Sequence, residues 1–150
     1  MMFQSRRSIL KMGGALIAMA ALPLRALANF VRNDAAFTAT GMDDTFAALG
    51  AEPMDSADIV VGSPDIAENG SVVPVEISTT IPGATRIMIM VEKNPNPLSA
   101  VFEIPEGTKA AVATRVKVSQ TCQVYGVVEA NGKFYKASKE TKVTLGGCGG

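Results

Sequence analysis

Gln123-Val124-Tyr125-Gly126-Val127-Val128-Glu129-Ala130-Asn131-Gly132-Lys133-Phe134-Tyr135-Lys136-Ala137 decides the fold class. Two runs rich in β-branched and aromatic residues flank Asn131-Gly132. Both central residues of a type I′ hairpin turn need positive φ, which Asn and Gly accept at little cost. Working outward, Ser71 to Thr79 alternates, with Val73, Val75 and Ile77 on one face and Pro74, Glu76 and Ser78 on the other. Ala110 to Val118 alternates again through Val112, Thr114, Val116 and Val118. Ile59-Val60-Val61, Ser99 to Ile104 and Lys139 to Leu145 add further strands. Ile87-Met88-Ile89-Met90-Val91, within Thr85 to Glu92, is apolar on both faces and must be covered on both. The cover is either the chain's own N-terminal helix or a partner chain. Short strands separated by turns every 8–12 residues or so predict an all-β fold. The expectation is an immunoglobulin-like antiparallel β-sandwich over residues 57–145.

Upstream lies an N-terminal helical segment, residues 29–56. Thr40 can N-cap a helix over 41–49, with Asp43 as the acidic member of a capping box. Met42, Phe46 and Leu49 then share one face, and Gly50 can close the helix in a left-handed conformation. Downstream of the two-faced strand, Lys93-Asn94-Pro95-Asn96-Pro97 breaks pairing and reads as a stiff turn.

Residues 1–28 read as an address. Ser5-Arg6-Arg7-Ser8-Ile9-Leu10-Lys11 precedes a modestly apolar stretch, Met12 to Leu24, and Ala26-Leu27-Ala28 supplies a small-x-small cleavage site. Paired Arg6 and Arg7 with the trailing Lys resemble a twin-arginine export signal. The stretch is too short and too Gly-broken to span a bilayer, so no membrane association is expected. Cleavage after Ala28 leaves 122 residues. Arg6, Arg7, Lys11 and Arg25 depart from the fourteen basic residues, leaving ten against fourteen acidic and a net charge of −4. An oxidising, exported compartment, the periplasm, follows from the signal.

Composition removes whole classes of chemistry. The 150 residues include no His, no Trp and two Cys, with 47% hydrophobic residues. That length and apolar share suit one domain with a core. Without His there is no Ser-His or Cys-His nucleophile pair and no His-held zinc or haem. Two cysteines cannot hold an iron–sulfur cluster, and no metal site or resident cofactor is expected. Six Phe, two Tyr and zero net charge give no basic, aromatic surface for nucleic acid.

The chemistry sits at the end of the chain, Gly146-Gly147-Cys148-Gly149-Gly150. Four side-chain-free residues around one thiol predict a flexible, thin arm over 146–150 that can enter a narrow pocket in another protein. Nothing beside Cys148 lowers its pKa: no Lys or Arg adjoins it and the C-terminal carboxylate opposes the thiolate. Such a thiol is a handle rather than a self-activated catalyst. A thiol bonds readily to sulfane sulfur through a disulfide-like link.

The Gly-Gly-Cys-Gly-Gly ending, the twin-arginine leader, Val91-Glu92-Lys93-Asn94-Pro95-Asn96-Pro97-Leu98 and Ser138-Lys139-Glu140-Thr141-Lys142-Val143-Thr144 together resemble the SoxY family of sulfur-carrier subunits in bacterial thiosulfate oxidation. The resemblance implies a periplasmic, non-catalytic carrier that holds thiosulfonate and persulfide intermediates covalently on Cys148. Gly146, Gly147, Gly149 and Gly150 would form its swinging arm. It implies a heterodimer with a SoxZ-like sandwich subunit. It also implies transient docking to a c-type cytochrome conjugating complex, a dimanganese thiosulfohydrolase and a molybdenum–haem sulfur dehydrogenase. No cofactor beyond the bound sulfur is implied. Two other classes compete: an exported thiol redox protein, and a structural sandwich tethered through Cys148. The first lacks an activating base; the second predicts a stable intermolecular disulfide.

Cys122 is not required by the carrier pattern. It shares strand parity with Val124 and Val128, which places it in the core. The alternative is a disulfide to Cys148 that parks the arm. Lys133, Lys136, Lys139 and Lys142 read as a solvated rim.

Overall fold

The computed structural model describes residues 32–144. Cys148, Gly146, Gly147, Gly149 and Gly150 of the expected arm lie outside the described residues, as do Arg6, Arg7 and Ala28 of the expected signal. The elements run α1 (Asp34–Thr38), α2 (Met42–Leu49), β1 (Met54–Asp55), β2 (Ile59–Gly62), β3 (Ile66–Ala67), β4 (Val73–Thr79), β5 (Ala84–Val91), β6 (Leu98–Glu103), β7 (Ala111–Val116), β8 (Cys122–Ala130) and β9 (Lys133–Val143).

Two sheets form an immunoglobulin-like sandwich. The larger has the order β1-β9-β8-β5-β6, with β3 also pairing β9; the smaller is β2-β4-β7. The hairpin at its centre is the one expected from Asn131-Gly132: both residues have positive φ, 52° and 72°, and Ala130 pairs with Lys133 across the turn. Lys133 to Val143 is one strand rather than two. Ser138 continues the ladder opposite Tyr125, and the long β8 partner carries β9 through the expected break. The sheet is not wholly antiparallel. The chain between Met54 and Ala67 crosses from the large sheet to the small one and back, so β1 and β3 both lie parallel to β9 and cover its edge. A covered edge cannot template aggregation.

The alternation of Val73, Val75 and Ile77 aims all three into the space between the sheets. They meet Ile87, Ile89, Val91, Val124 and Val128 there. Fully burying a side chain of this size is worth about 1.5–3 kcal/mol. Gly126 permits a close approach of the two sheets: a Cβ there would lie 2.8 Å from Ile77 Cδ1. The second face of β5 is covered by the chain itself. Met88 and Met90 are fully buried beneath the helices, packed with Phe37, Met42, Phe46 and Leu49.

The helical segment differs from its expected form. Two helices replace one, and the capping box does not form: Gly41, at φ 92°, is the N-cap of α2 and supplies no side-chain bond. Thr40 lies one residue too early. Asn33 caps α1 by accepting from the Ala36 N–H, and its Nδ2 donates to the Ala48 carbonyl, tying the two helices together. Gly50 ends α2 in the left-handed region, φ 63° and ψ 31°, as its sequence position predicts.

Candidate functional site

The described chain ends at Thr144, one residue past β9, so the candidate site is the end of the sandwich from which the sequence continues to Cys148. Its floor is the start of β8. Cys122 is 4% exposed within the inter-sheet core, a free thiol with Val124 and Val128 as neighbours in the cluster. Burial pushes its pKa up, and the Glu92 carboxylate adds to this. Backbone hydrogen bonding from Lys93 and Glu92 and the Lys93 charge oppose the rise. The core reading of Cys122 therefore holds; its alternative, a disulfide to Cys148, involves a residue outside the described ones.

The Asn-Pro-Asn-Pro loop is more than a stiff turn. Asn94 reads both ends of the 117–119 segment: its Nδ2 donates to the Lys117 carbonyl at 2.8 Å and its Oδ1 accepts from the Ser119 N–H at 3.0 Å. Asn96 Nδ2 donates to the carbonyls of Thr38 and Ala39 at 3.0 and 3.2 Å, satisfying the C-terminus of α1. Glu92 holds the start of β8, its carboxylate accepting from the Gln123 N–H at 3.2 Å. One loop thus links the helix pair, the β7–β8 connection and the floor beneath Cys122.

Opposite that loop, residues 63–67 grip β9. Thr141 Oγ1 donates to Ser63 Oγ at 2.8 Å, a buried hydroxyl pair. Lys139 Nζ donates to the Ser63 carbonyl at 2.6 Å and pairs with Asp65 at 3.0 Å. Lys139 is thus not part of a freely solvated rim: its strand parity is that of Thr141, and it bends over the sheet edge to these two oxygens. Lys136 makes only a long 3.9 Å pair with the exposed Asp55, while Lys133 and Lys142 are exposed.

Sequence reading identified Cys122 and the Asn-Pro-Asn-Pro loop but missed Ser63, Asp65, Thr121 and Glu92. Polar residues in loops carry no periodic signal, and their partners lie 22 to 78 residues away. Among the described residues no group of three or more His, Cys, Asp or Glu side chains could hold a metal ion. No described helix is long and apolar enough to cross a membrane.

Comparison with known proteins gives the site its context. The model of the family described as sulfur oxidation protein SoxY matches residues 45–148, a span that ends on Cys148. A solved structure of the sulfur carrier protein SoxY from Chlorobium limicola f thiosulfatophilum is similar at 40% sequence identity and a TM-score of 0.61. That match covers 69% of this chain and 94% of the other. No curated protein sequence matches.

Proposed function

This chain belongs to the SoxY family of sulfur-oxidation carrier proteins, and from that premise we propose that Cys148 is the thiol on which it carries sulfur. One observation carries the assignment: the family match runs to Cys148, while the other thiol is shut in the core. A carrier thiol must be offered to other active sites. Cys122, 4% exposed, cannot be. It is also held protonated by burial, and the thiolate is the form that reacts.

In the proposed cycle the Cys148 thiol and thiosulfate join in a new S–S bond. The products are Cys–S–S–SO3⁻, one proton and two electrons, and the electrons pass to a c-type cytochrome complex. Water then cleaves the S–SO3⁻ bond at a dimanganese thiosulfohydrolase, releasing sulfate and a proton and leaving a persulfide on Cys148. A molybdenum–haem sulfur dehydrogenase is the proposed oxidant of that persulfide. The carrier makes and breaks no bond without these enzymes and holds no resident cofactor. Gly146, Gly147, Gly149 and Gly150 keep the arm thin enough to enter such sites, since a Cβ at each would widen it. A SoxZ-like subunit is the proposed heterodimer partner. Arg6, Arg7 and cleavage at Ala28 would deliver the chain to the periplasm by the twin-arginine route.

Intact-mass measurement on the protein from thiosulfate-grown cells tests the assignment. Reducible sulfur or S-sulfonate additions mapped to Cys148 are expected, and Cys148→Ser should abolish thiosulfate-dependent respiration while leaving the fold intact. Respiration retained by the Cys148→Ser variant would overturn it.

A further inference from the structure

β9 outlasts its main partner. The antiparallel ladder with β8 ends at Cys122 opposite Thr141, yet β9 runs on to Val143, and its last described backbone bond is at Thr144. The three residues of this overhang are held by a separate set of contacts. Lys142 pairs with Ile66 and Val143 with Ala67 in the two-residue strand β3. The Lys142 N–H donates to the Asp65 carbonyl at 3.0 Å and the Thr144 N–H to the Ala67 carbonyl at 3.2 Å. Between them the Val143 N–H points to the other side, where β8 no longer offers a carbonyl. The Thr121 hydroxyl takes its place, accepting at 3.0 Å. One turn further back, Lys139 and Thr141 fasten Ser63 and Asp65, and so anchor the segment that leads into β3.

Ala67 and Val143 pack on the inter-sheet core, but Ile66 is 60% exposed, its partner Lys142 is exposed too, and β3 contributes two residues. A parallel ladder this short, with one of its two pairs in solvent, gains from the polar bonds as well as from burial. The polar bonds converge on Lys142, Val143 and Thr144, the last three described residues, and so hold the end of β9 on the sandwich. We propose that Ser63, Asp65, Thr121 and Lys139 form a clamp that determines the working length of the sulfur-carrying arm. This inference rests on Cys148 being the carrier thiol. With the clamp closed, Cys148 is the fourth residue after Thr144, a reach of at most about 14 Å at roughly 3.3–3.6 Å per residue. With Lys142–Thr144 released, seven residues follow Thr141 and the reach rises to about 24 Å.

Arm length and clamp must then compensate each other, which a merely structural role for these residues would not require. The test compares four forms of the full chain, each the sole copy in thiosulfate-grown cells: wild type, deletion of Gly146, Thr121→Val with Lys139→Met, and the three changes combined. Loading is read as the early rate of sulfur addition to Cys148 by intact mass. Amide hydrogen exchange at Lys142, Val143 and Thr144 is read on the purified proteins. Deleting one residue shortens the closed arm by about 3 Å and should slow loading about 100-fold, the scale expected for misplaced reacting atoms. The clamp variant should raise exchange at the three amides at least about tenfold. It should load within about threefold of wild type, because effective concentration falls slowly with tether length. The combined form should recover at least about tenfold over the deletion alone. A combined form no faster than the deletion overturns the clamp, as does exchange at Lys142–Thr144 that is already unprotected in wild type. If wild-type Cys148 never gains sulfur, the carrier assignment fails, and the exchange measurement still decides whether the clamp exists.

Discussion

At the hairpin end of the sandwich, Asn131 and Gly132 turn the chain with their own dihedrals, and the cross-loop bond there, Asn131 Nδ2 to the Pro82 carbonyl, is borne by a turn residue. At the opposite end, where Thr144 leads towards Cys148, closure depends on side chains reaching across 22 to 78 residues of sequence. Ser63, Glu92, Asn94, Thr121, Lys139 and Thr141 each bond a segment distant in the chain. At the first end the turn itself is specified by its own φ values, and the turn residue Asn131 adds one bond to a segment 49 residues away. The second anchors the last described residues of β9 beyond the β8 ladder, and there the bonds come from side chains of distant segments.

Four substitutions sharpen this contrast, taken in order of falling effect. Ser63→Ala leaves the buried Thr141 hydroxyl without its partner and should lower stability by about 1–3 kcal/mol in urea unfolding. Adding Thr141→Val should return much of that loss, because both polar groups are then gone. If the double variant is as unstable as the two single costs added together, the pair is not the unit described. At the hairpin end, Gly132→Ala forces a Cβ into the left-handed region and should cost about 1–2 kcal/mol. It should leave amide exchange at Lys142–Thr144 unchanged; increased exchange there would mean that the two ends are coupled.

The smallest effect is the pH response of Cys122. Its folded pKa is raised, mainly by burial, so above the unfolded thiol value near 8.5 the unfolded chain loses its proton first. The unfolded state then binds fewer protons than the native one, and stability falls as pH rises from about 8.5 towards the folded pKa. Urea midpoints between about pH 7.5 and pH 10 should fall less steeply for Cys122→Ala than for the parent. Parallel slopes would show that the buried thiol is not the group responsible. Native alkylation should modify Cys148 well before Cys122.

Much of the fold was legible because it rests on local rules. The alternation of Val73, Val75 and Ile77 placed them inward whatever lay opposite, since successive strand side chains point to opposite faces. Met42, Phe46 and Leu49 shared a face by helical spacing, and that face covers Met88 and Met90. The capping of α2 was misread because Thr40 and Asp43 satisfy a capping-box pattern, while the backbone entering from α1 puts Gly41 at the cap. The break expected at Ser138 vanished because the β8 partner runs on past it, which β9's own residues do not reveal.

Local residue order is enough for the sandwich class, the hairpin register, the buried position of Cys122 and the glycine-flanked thiol at Cys148, because each follows from periodicity, turn chemistry or composition over a few residues. It took packing at long range to show that the chain covers its own Met88–Met90 face, that β1 and β3 seal the edge of β9, and that Thr121 completes the bonding of Val143. Those outcomes depend on segments far apart in the chain meeting at hydrogen-bond distance. Such a meeting is a property of the packed whole, with no counterpart in local residue order.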